Sequence, residues 1–395
     1  MNRIRNCLIG FLLFLPLIGA FSVPGMADVV VQCPGDTNAD AQWTGGEVQP
    51  PNVQCKSIAG SDGFSTMADG RTMYIFSFID VTGVIPDQVM DVGTLAGKSP
   101  APLIAAKEGN DFYLTLTVRP MVMRPDLFDP HSIHWHGFPN AASIFDGEPM
   151  ASLTPNQGSS LTYYYKVPGP GTYMWHCHVE ASEHMQMGML GNLYVTPIQD
   201  GAAIGGYTKF AYNDGDGSTG YDKDYPFQII SFDPDFHDAN LNIQPLGFAA
   251  MRDTYPLING RGYPDTINPS TALGASPENN NNPSQQVPSL ITATQGQRIL
   301  LRMSSLATVR FYTVTSPSIP MKVVGRDAKL LRSTTGVNLY YDTHSITLGG
   351  GQSADVILDT QNVAPGTYFL YTSNLEELSN NQQDFGGMMT EIVIQ

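Results

Sequence analysis

The chain has 395 residues, of which 14% are charged and 42% hydrophobic, with 39 Gly, 29 Pro, 18 Tyr and 18 Phe. That length allows two or three domains at about 150 residues each; the apolar share excludes wholesale disorder, and the turn-forming and aromatic content favours strands over a helical bundle. The net charge of −16 argues against nucleic acid and anionic membranes as partners and tolerates cationic substrates.

Residues 1–27 read as a secretory signal. Arg3 and Arg5 form a short basic region, Cys7–Phe21 is apolar, and Gly25-Met26-Ala27 offers small residues for cleavage. The apolar run is too short for a good membrane span. Without an Arg-Arg pair, export in the unfolded state is favoured. Cleavage removes two of the 20 basic residues and no acids, leaving 18 against 36, a charge of −18. The mature protein is expected in the periplasm or outside the cell. Residues 28–72 read as an N-terminal extension. They hold Cys33 and Cys55, which lie 22 apart in a Gly/Asp/Pro-rich segment and are expected to form a disulfide in an oxidising compartment.

The first domain is expected over 73–205. Strand patterns run at Met73–Asp80, Phe112–Val118, His131–His136, Leu161–Val167, Thr172–Trp175 and Gly191–Thr196, separated by Gly/Pro/Asn/Asp clusters at β-sandwich spacing. A polar break at 213–224 falls in the boundary region near 200–225, and a second domain is placed at 206–395. Strands are expected there at Phe227–Phe232, Ile299–Met303, Arg310–Thr315, Met321–Val324, Ser345–Leu348, Ala354–Leu358 and Thr367–Thr372, and a loop at 276–290. No stretch shows sustained helical periodicity. Pro168-Gly-Pro-Gly-Thr-Tyr matches Ala364-Pro-Gly-Thr-Tyr, which suggests two copies of one β-sandwich.

The copies differ in histidine. Of eight in the chain, six fall in two short motifs: HSIHWHG, with His131, His134 and His136, and WHCHVEASEHMQMGM, with His176, His178 and His184. Strand side chains alternate, so His134 and His136 share a face, as do His176 and His178, while Cys177 points the other way. Cys177, His184 and Met189 can meet there, and His131 has the parity to join them. A thiolate, two imidazoles and a weak thioether make a trigonal copper site for electron transfer. His134, His136, His176 and His178 form an all-imidazole face suited to further copper. One tetrahedral zinc site would use fewer ligands than these two faces offer, and a protease thiol would lack a helix-start context. Met185 and Met187 read as packing, with Met187 a rival axial ligand. His237 and His344 read as ordinary surface histidines.

Over residues 70–395 these motifs resemble the multicopper oxidases, the cupredoxin group that includes laccases, copper-efflux oxidases and copper nitrite reductases. HSIHWHGF, DGEPMASLTP and GTYMWHCH are similar to a first cupredoxin domain. PLINGRGYPD, MKVVGRDAKLL and LGGGQSADVILD are similar to a copper-free middle domain. The resemblance implies an all-β fold of two cupredoxin-like Greek-key sandwiches. It implies a type 1 (blue) copper on His131, Cys177, His184 and Met189, a type 2 copper on His134, and a type 3 pair on His136, His176 and His178. Asp146 resembles the family's proton-relaying acid, and reads equally as a turn-forming Asp before Gly. Cys177 and His184 stand two residues further apart than in most laccases.

The family's trinuclear cluster takes four histidines from each of two domains. This chain supplies one such set, so the resemblance implies completion by another subunit. A two-fold dimer of first domains is favoured, and a trimer or a separate partner chain are the rivals. The expected activity is a laccase-like oxidation of a phenol or a metal ion coupled to reduction of dioxygen to water. A nitrite reductase-like enzyme and a non-enzymatic blue-copper electron carrier are the alternatives.

Overall fold

A computed structural model describes residues 32–139 and 141–395. The expected signal segment lies outside the described residues. The first half folds as two four-stranded sheets. One has the order β2-β1-β4-β6, from β1 (Val53–Thr66), β2 (Thr72–Asp80), β4 (Asp111–Val118) and β6 (Ser160–Lys166). The other has the order β3-β8-β7-β5, from β3 (Ala101–Lys107), β5 (His134–His136), β7 (Gly171–His176) and β8 (Leu190–Thr196). Their inner faces enclose one apolar core that includes Phe76, Phe78, Leu114, Trp135, Tyr165 and Trp175. Trp135 stacks on Tyr165 with centroids 3.8 Å apart.

Strand β1 lies inside the stretch expected to be an extension. It pairs antiparallel with β2 and parallel with β4. Its sequence, VQCKSIAGSDGFST, carries Gly and Ser where a strand pattern would show large apolar residues. The reason is steric. A Cβ on Gly60 would stand 2.8 Å from the His131 ring, and one on Gly63 would stand 3.0 Å from the Gly97 backbone. Cys33 and Cys55 form the expected disulfide, which ties the preceding segment to β1.

The second half has a larger sheet ordered β10-β9-β12-β18-β14-β15, with β16 also pairing β14, and a five-stranded sheet ordered β11-β22-β19-β13-β17. The first uses β9 (Lys223–Phe232), β10 (Tyr255–Ile258), β12 (Arg298–Ser305), β14 (Met321–Arg326), β15 (Lys329–Leu330), β16 (Tyr341–Thr343) and β18 (Ser353–Asp359). The second uses β11 (Ile291–Ala293), β13 (Tyr312–Thr315), β17 (Ser345–Leu348), β19 (Gly366–Thr372) and β22 (Met389–Ile394), with a small hairpin of β20 (Ser379–Asn380) and β21 (Gln383–Asp384) beside them. Three short helices punctuate the strands: α1 (Pro86–Val92), α2 (Ala181–Met187) and α3 (Pro234–Leu241). At seven or eight residues they are too short for a sustained helical period in the sequence.

An apolar seam joins the halves. Met67, Met73, Met174 and Leu190 of the first pack with Ile230, Phe232, Tyr255, Leu257 and Leu306 of the second. Each such side chain contributes about 1.5–3 kcal/mol by leaving water. Polar bonds fix the fit. Thr172 donates through Oγ1 to Asp355 at 2.6 Å, and Ser304 donates to the Asn192 amide oxygen at 2.6 Å. Strand β7 is therefore buried on both faces, by the core on one side and the second half on the other.

Candidate metal centre

Strand register builds the site. Edge strand β5 pairs antiparallel with β7 so that His134 faces His176 and Trp135 faces Trp175. Alternation sends both tryptophans into the core, fully buried, and both histidines to the outer face. β7 ends at His176 and the chain turns through Cys177 and His178 into α2. That helix starts from Glu180 in the left-handed region (φ +44°) and stops at Gly188 (φ +117°).

Cys177, His131 and His184 meet on the core side, all with no exposed surface. The Cys177 Sγ lies 3.2 Å from His184 Nδ1 and 3.9 Å from His131 Nδ1. A sulfur and a nitrogen sharing one ion at bonds of about 2.0–2.3 Å stand about 3.5–3.8 Å apart, so this spacing fits a single metal. The backbone N–H of Ser132 donates to Sγ at 3.4 Å. Burial pushes the Cys177 thiol up to about 12 and pulls His184 down to about 4. Burial, then repulsion from His184, carries His131 well below its ordinary value. The imidazoles are thus held neutral, ready to ligate, while the thiol waits for a cation before it ionises. Both Nε2 atoms are buried without a partner. Met187 and Met189 are also fully buried and belong to the same packed cluster as Cys177. A thiol and two imidazoles form a soft set suited to copper rather than to magnesium or calcium.

The opposite face carries His134, His136, His176 and His178, which line a cavity of about 400 Å³. Ring centroids stand 5.0 Å apart for His134 and His178, and 5.3 Å for His134 and His176. His136 Nδ1 lies 3.3 Å from His176 Nε2. Outer partners fix which nitrogen is free. His134 Nδ1 donates to the Asp146 carbonyl at 2.7 Å, and His176 Nδ1 donates to the Cys177 carbonyl at 2.8 Å, which leaves each Nε2 for the cavity. Burial brings His176 down to about 3. His136 is lowered by burial and then by His134 and His178. The Asp146 carboxylate lies 3.4 Å from His134 Nδ1. The second half supplies the rest of the wall, among it Leu306, Val309, Phe311 and Gly351. A Cβ on Gly351 would stand 2.7 Å from His136 Nε2, so only glycine lets that loop close on the ring.

The six motif histidines and Cys177 therefore fall into the two groups expected from parity. Met185 lines the imidazole cavity and packs against the seam. His344 is exposed, as expected. His237 is not a surface residue: it is fully buried on α3, a helix of the second half that crosses onto the first. Its Nδ1 lies 2.6 Å from the Tyr74 carbonyl and its Nε2 2.9 Å from the Gln186 carbonyl, so it clamps β2 and the α2 segment together. The acids around it in DPDFHDAN disguise it. Asp233 in fact caps α3, accepting from the backbone N–H groups of Asp235 and Phe236. Two further residues escape a reading for histidine and thiol motifs. Asp129 and Glu180 bring carboxylate oxygens within 4.8 Å of each other and of a His184 ring nitrogen.

Family models described as multicopper oxidase match residues 80–200 and 244–394, together more than half of the chain. Laccase-5 of Arabidopsis thaliana is 27% identical over 319 residues, covering 76% of this chain and 44% of that protein. The multicopper oxidase MmcO of Mycobacterium tuberculosis is 37% identical over 86 residues, covering 22% of this chain and 16% of that one. The chain thus spans under half the length of these curated relatives. Among solved structures, the blue copper oxidase of Nitrosomonas europaea superposes with a TM-score of 0.64 at 21% identity, covering 87% of this chain and 86% of that one. The multicopper oxidase mgLAC gives 0.65 at 21% identity, with the same coverage. The two sandwiches are cupredoxin-like, as expected from sequence.

Proposed function

The chain belongs to the multicopper oxidases, a family of copper-dependent oxidoreductases, and from that premise we propose that it oxidises a small reductant one electron at a time and reduces dioxygen to water. Phenols and reduced metal ions are the substrate classes. Copper supplies the one-electron chemistry and the reaction with dioxygen. The protein's part follows from its residues. His131, Cys177, His184 and Met189 would hold the blue copper in a water-free pocket. His134 would hold the type 2 ion, and His136, His176 and His178 the type 3 pair. Cys177 is bonded through the backbone to both His176 and His178, so the two sites are covalent neighbours. Asp146, beside the outer nitrogen of His134, would hold and release protons for the reduction.

The observation that carries the reading is the adjacency of a closed Cys/His/His group and an open four-histidine face on one strand end. The open set calls for completion from outside the chain. Of the eight histidines, His237 and His344 both lie away from this cavity. Exposed Val309 and Phe311 at the cavity, and Ile144, Met150 and Leu153 in the segment around Asp146, offer an apolar rim for a second copy. A two-fold dimer facing its first domains together would bring two such sets into one cluster. The disulfide supports export to an oxidising compartment, and no helix of the described residues is long and apolar enough to cross a membrane.

Copper per chain, measured with mass on the same size-exclusion peak, tests this. A shared cluster predicts about 2.5 ions per chain on a dimer, with dioxygen consumed when a phenol is added. About two per chain on a trimer with nitrite turnover would favour the nitrite reductase-like reading. About one per chain on a monomer would leave an electron carrier.

A further inference from the structure

We propose that Gly351, Ser353 and Asp355 of the second sandwich are positioning residues for the imidazole face: they set the distance between His136 and His176 before any metal enters. The proposal rests on the reading of those two histidines as copper ligands. It gives a role to the LGGGQSADVILD stretch, which supplies no ligand of its own.

Strand geometry aims the three residues at one target. Ser353 and Asp355 stand two apart on β18 and share a face. Gly351 lies two residues earlier, in the loop that leads into the strand, with φ +87°. Ser353 Oγ donates to the Thr172 carbonyl at 2.6 Å. Asp355 accepts from the Thr172 N–H at 3.2 Å and from Thr172 Oγ1 at 2.6 Å. The backbone of Gly351 meets the His136 ring. Thr172 is thus held at its N–H, its hydroxyl and its carbonyl from the other sandwich. Alternation along β7 puts Thr172, Met174 and His176 on one face, so fixing Thr172 fixes the row that ends in His176.

The gripping side chains are themselves locked. Asp355 also accepts from the Tyr212 hydroxyl at 2.5 Å and stands opposite Arg302 of β12, whose guanidinium is 4.0 Å away. Arg302 in turn donates to Asp224 at 3.0 Å and lies over the Tyr194 ring. The Ser353 N–H donates to Asp327 at 3.0 Å. Thr172, Ser353 and Asp355 are all buried, so a lost partner is not replaced by bulk water.

His136 needs such support. It ends β5, a three-residue strand at the edge of its sheet, paired on one side only. Its Nδ1 stands 3.3 Å from His176 Nε2 while its Nε2 is turned to Gly351. Two nitrogens sharing one ion at about 2.0–2.1 Å in tetrahedral geometry stand about 3.3 Å apart. The pair therefore already has the separation of a shared ion, with Gly351 against the far side of the ring and Ser353 and Asp355 against the strand.

The test compares Gly351→Ala and Ser353→Ala with Ser304→Ala. Ser304 makes the same kind of buried bond between the sandwiches, to Asn192 at 2.6 Å, but away from these three residues. Copper on the imidazole face is measured by equilibrium dialysis against a chelator. The histidine ring resonances are read in the copper-free protein. Gly351→Ala should weaken the non-blue copper about tenfold or more, as loss of an outer support does. Ser353→Ala should act in the same direction and less, and both should shift the His136 ring resonances and leave the blue absorption unchanged. Ser304→Ala should keep non-blue copper within about twofold of wild type, with the His136 resonances in place. Equal losses in Ser353→Ala and Ser304→Ala would reduce the stretch to adhesive and overturn the proposal, as would a Gly351→Ala protein with unchanged copper and unchanged ring resonances. If Gly351→Ala does not fold, Ser353→Ala against Ser304→Ala carries the comparison. A wild type that binds blue copper alone overturns the reading beneath, and the metal-free resonances then decide whether these residues orient His136.

Discussion

On one side of the His176–His178 segment, a thiol and two imidazoles are sealed from solvent with every side chain drawn from one chain. On the other, four imidazoles line a cavity walled partly by exposed apolar residues of the second sandwich. The same alternation of side chains produces both. Burial fixes protonation and geometry on the closed side, so that site should assemble with copper in any intact chain. The open side sets only half of its surroundings, so its occupancy should follow assembly.

The sharpest way to break this contrast is to cut each side alone. Cys177→Ser should abolish blue absorption and reduce oxygen uptake to background while leaving copper on the imidazole face. His136→Ala should do the reverse, keeping the blue absorption and losing oxygen reduction and part of the non-blue copper. Copper analysis beside visible spectra reads both. If the blue absorption disappears in both variants, the two sides are one cooperative site and the contrast fails.

A smaller effect is expected at the clamp. His237→Ala would remove two contacts to buried carbonyls and leave a void, a loss of about 2–4 kcal/mol. Denaturant unfolding measures it, and a shift in the blue-copper potential would show that the clamp also holds the α2 segment in place.

Acid should discriminate next. In the copper-free protein, His176 and His184 have folded values of about 3 and 4, below the ordinary value of 6.5. The unfolded chain therefore binds more protons, and stability falls as pH drops from about 6.5 towards 3. The slope is about 1.4 kcal/mol per pH unit for each such histidine. Unfolding midpoints across that window test the sign, and copper loading should steepen the curve, because the metal also displaces the Cys177 proton.

The mildest probe is Gly60→Ala, whose methyl would meet the His131 ring at 2.8 Å. A cost of about 1–3 kcal/mol and a shifted blue absorption are expected, with the imidazole face unaltered.

Most of the two-group site was legible because strand parity is a local rule: HSIHWHG and WHCH fix which side chains share a face without knowledge of the rest of the fold. The long-range partners were not legible. β1 reads as part of an extension because its glycines answer to the His131 ring and the Gly97 backbone, neither of which is near in sequence. His237 reads as a surface histidine because its neighbours are acidic, and only the passage of α3 over β2 buries it. Asp129 and Glu180 carry no motif. Only the fold brings the separate segments that carry them close to His184.

The second sandwich places no histidine, cysteine or acid in either predicted ligand set, yet it covers the closed site through α3 and the residues that follow it. It acts as an insulating sleeve on a wire. By packing on the helix that carries His184, it would limit which reductants reach a copper held there. Selectivity of the oxidase would then reside in the domain that holds no metal, and loosening that sleeve would broaden the range of donors before it lowered the rate.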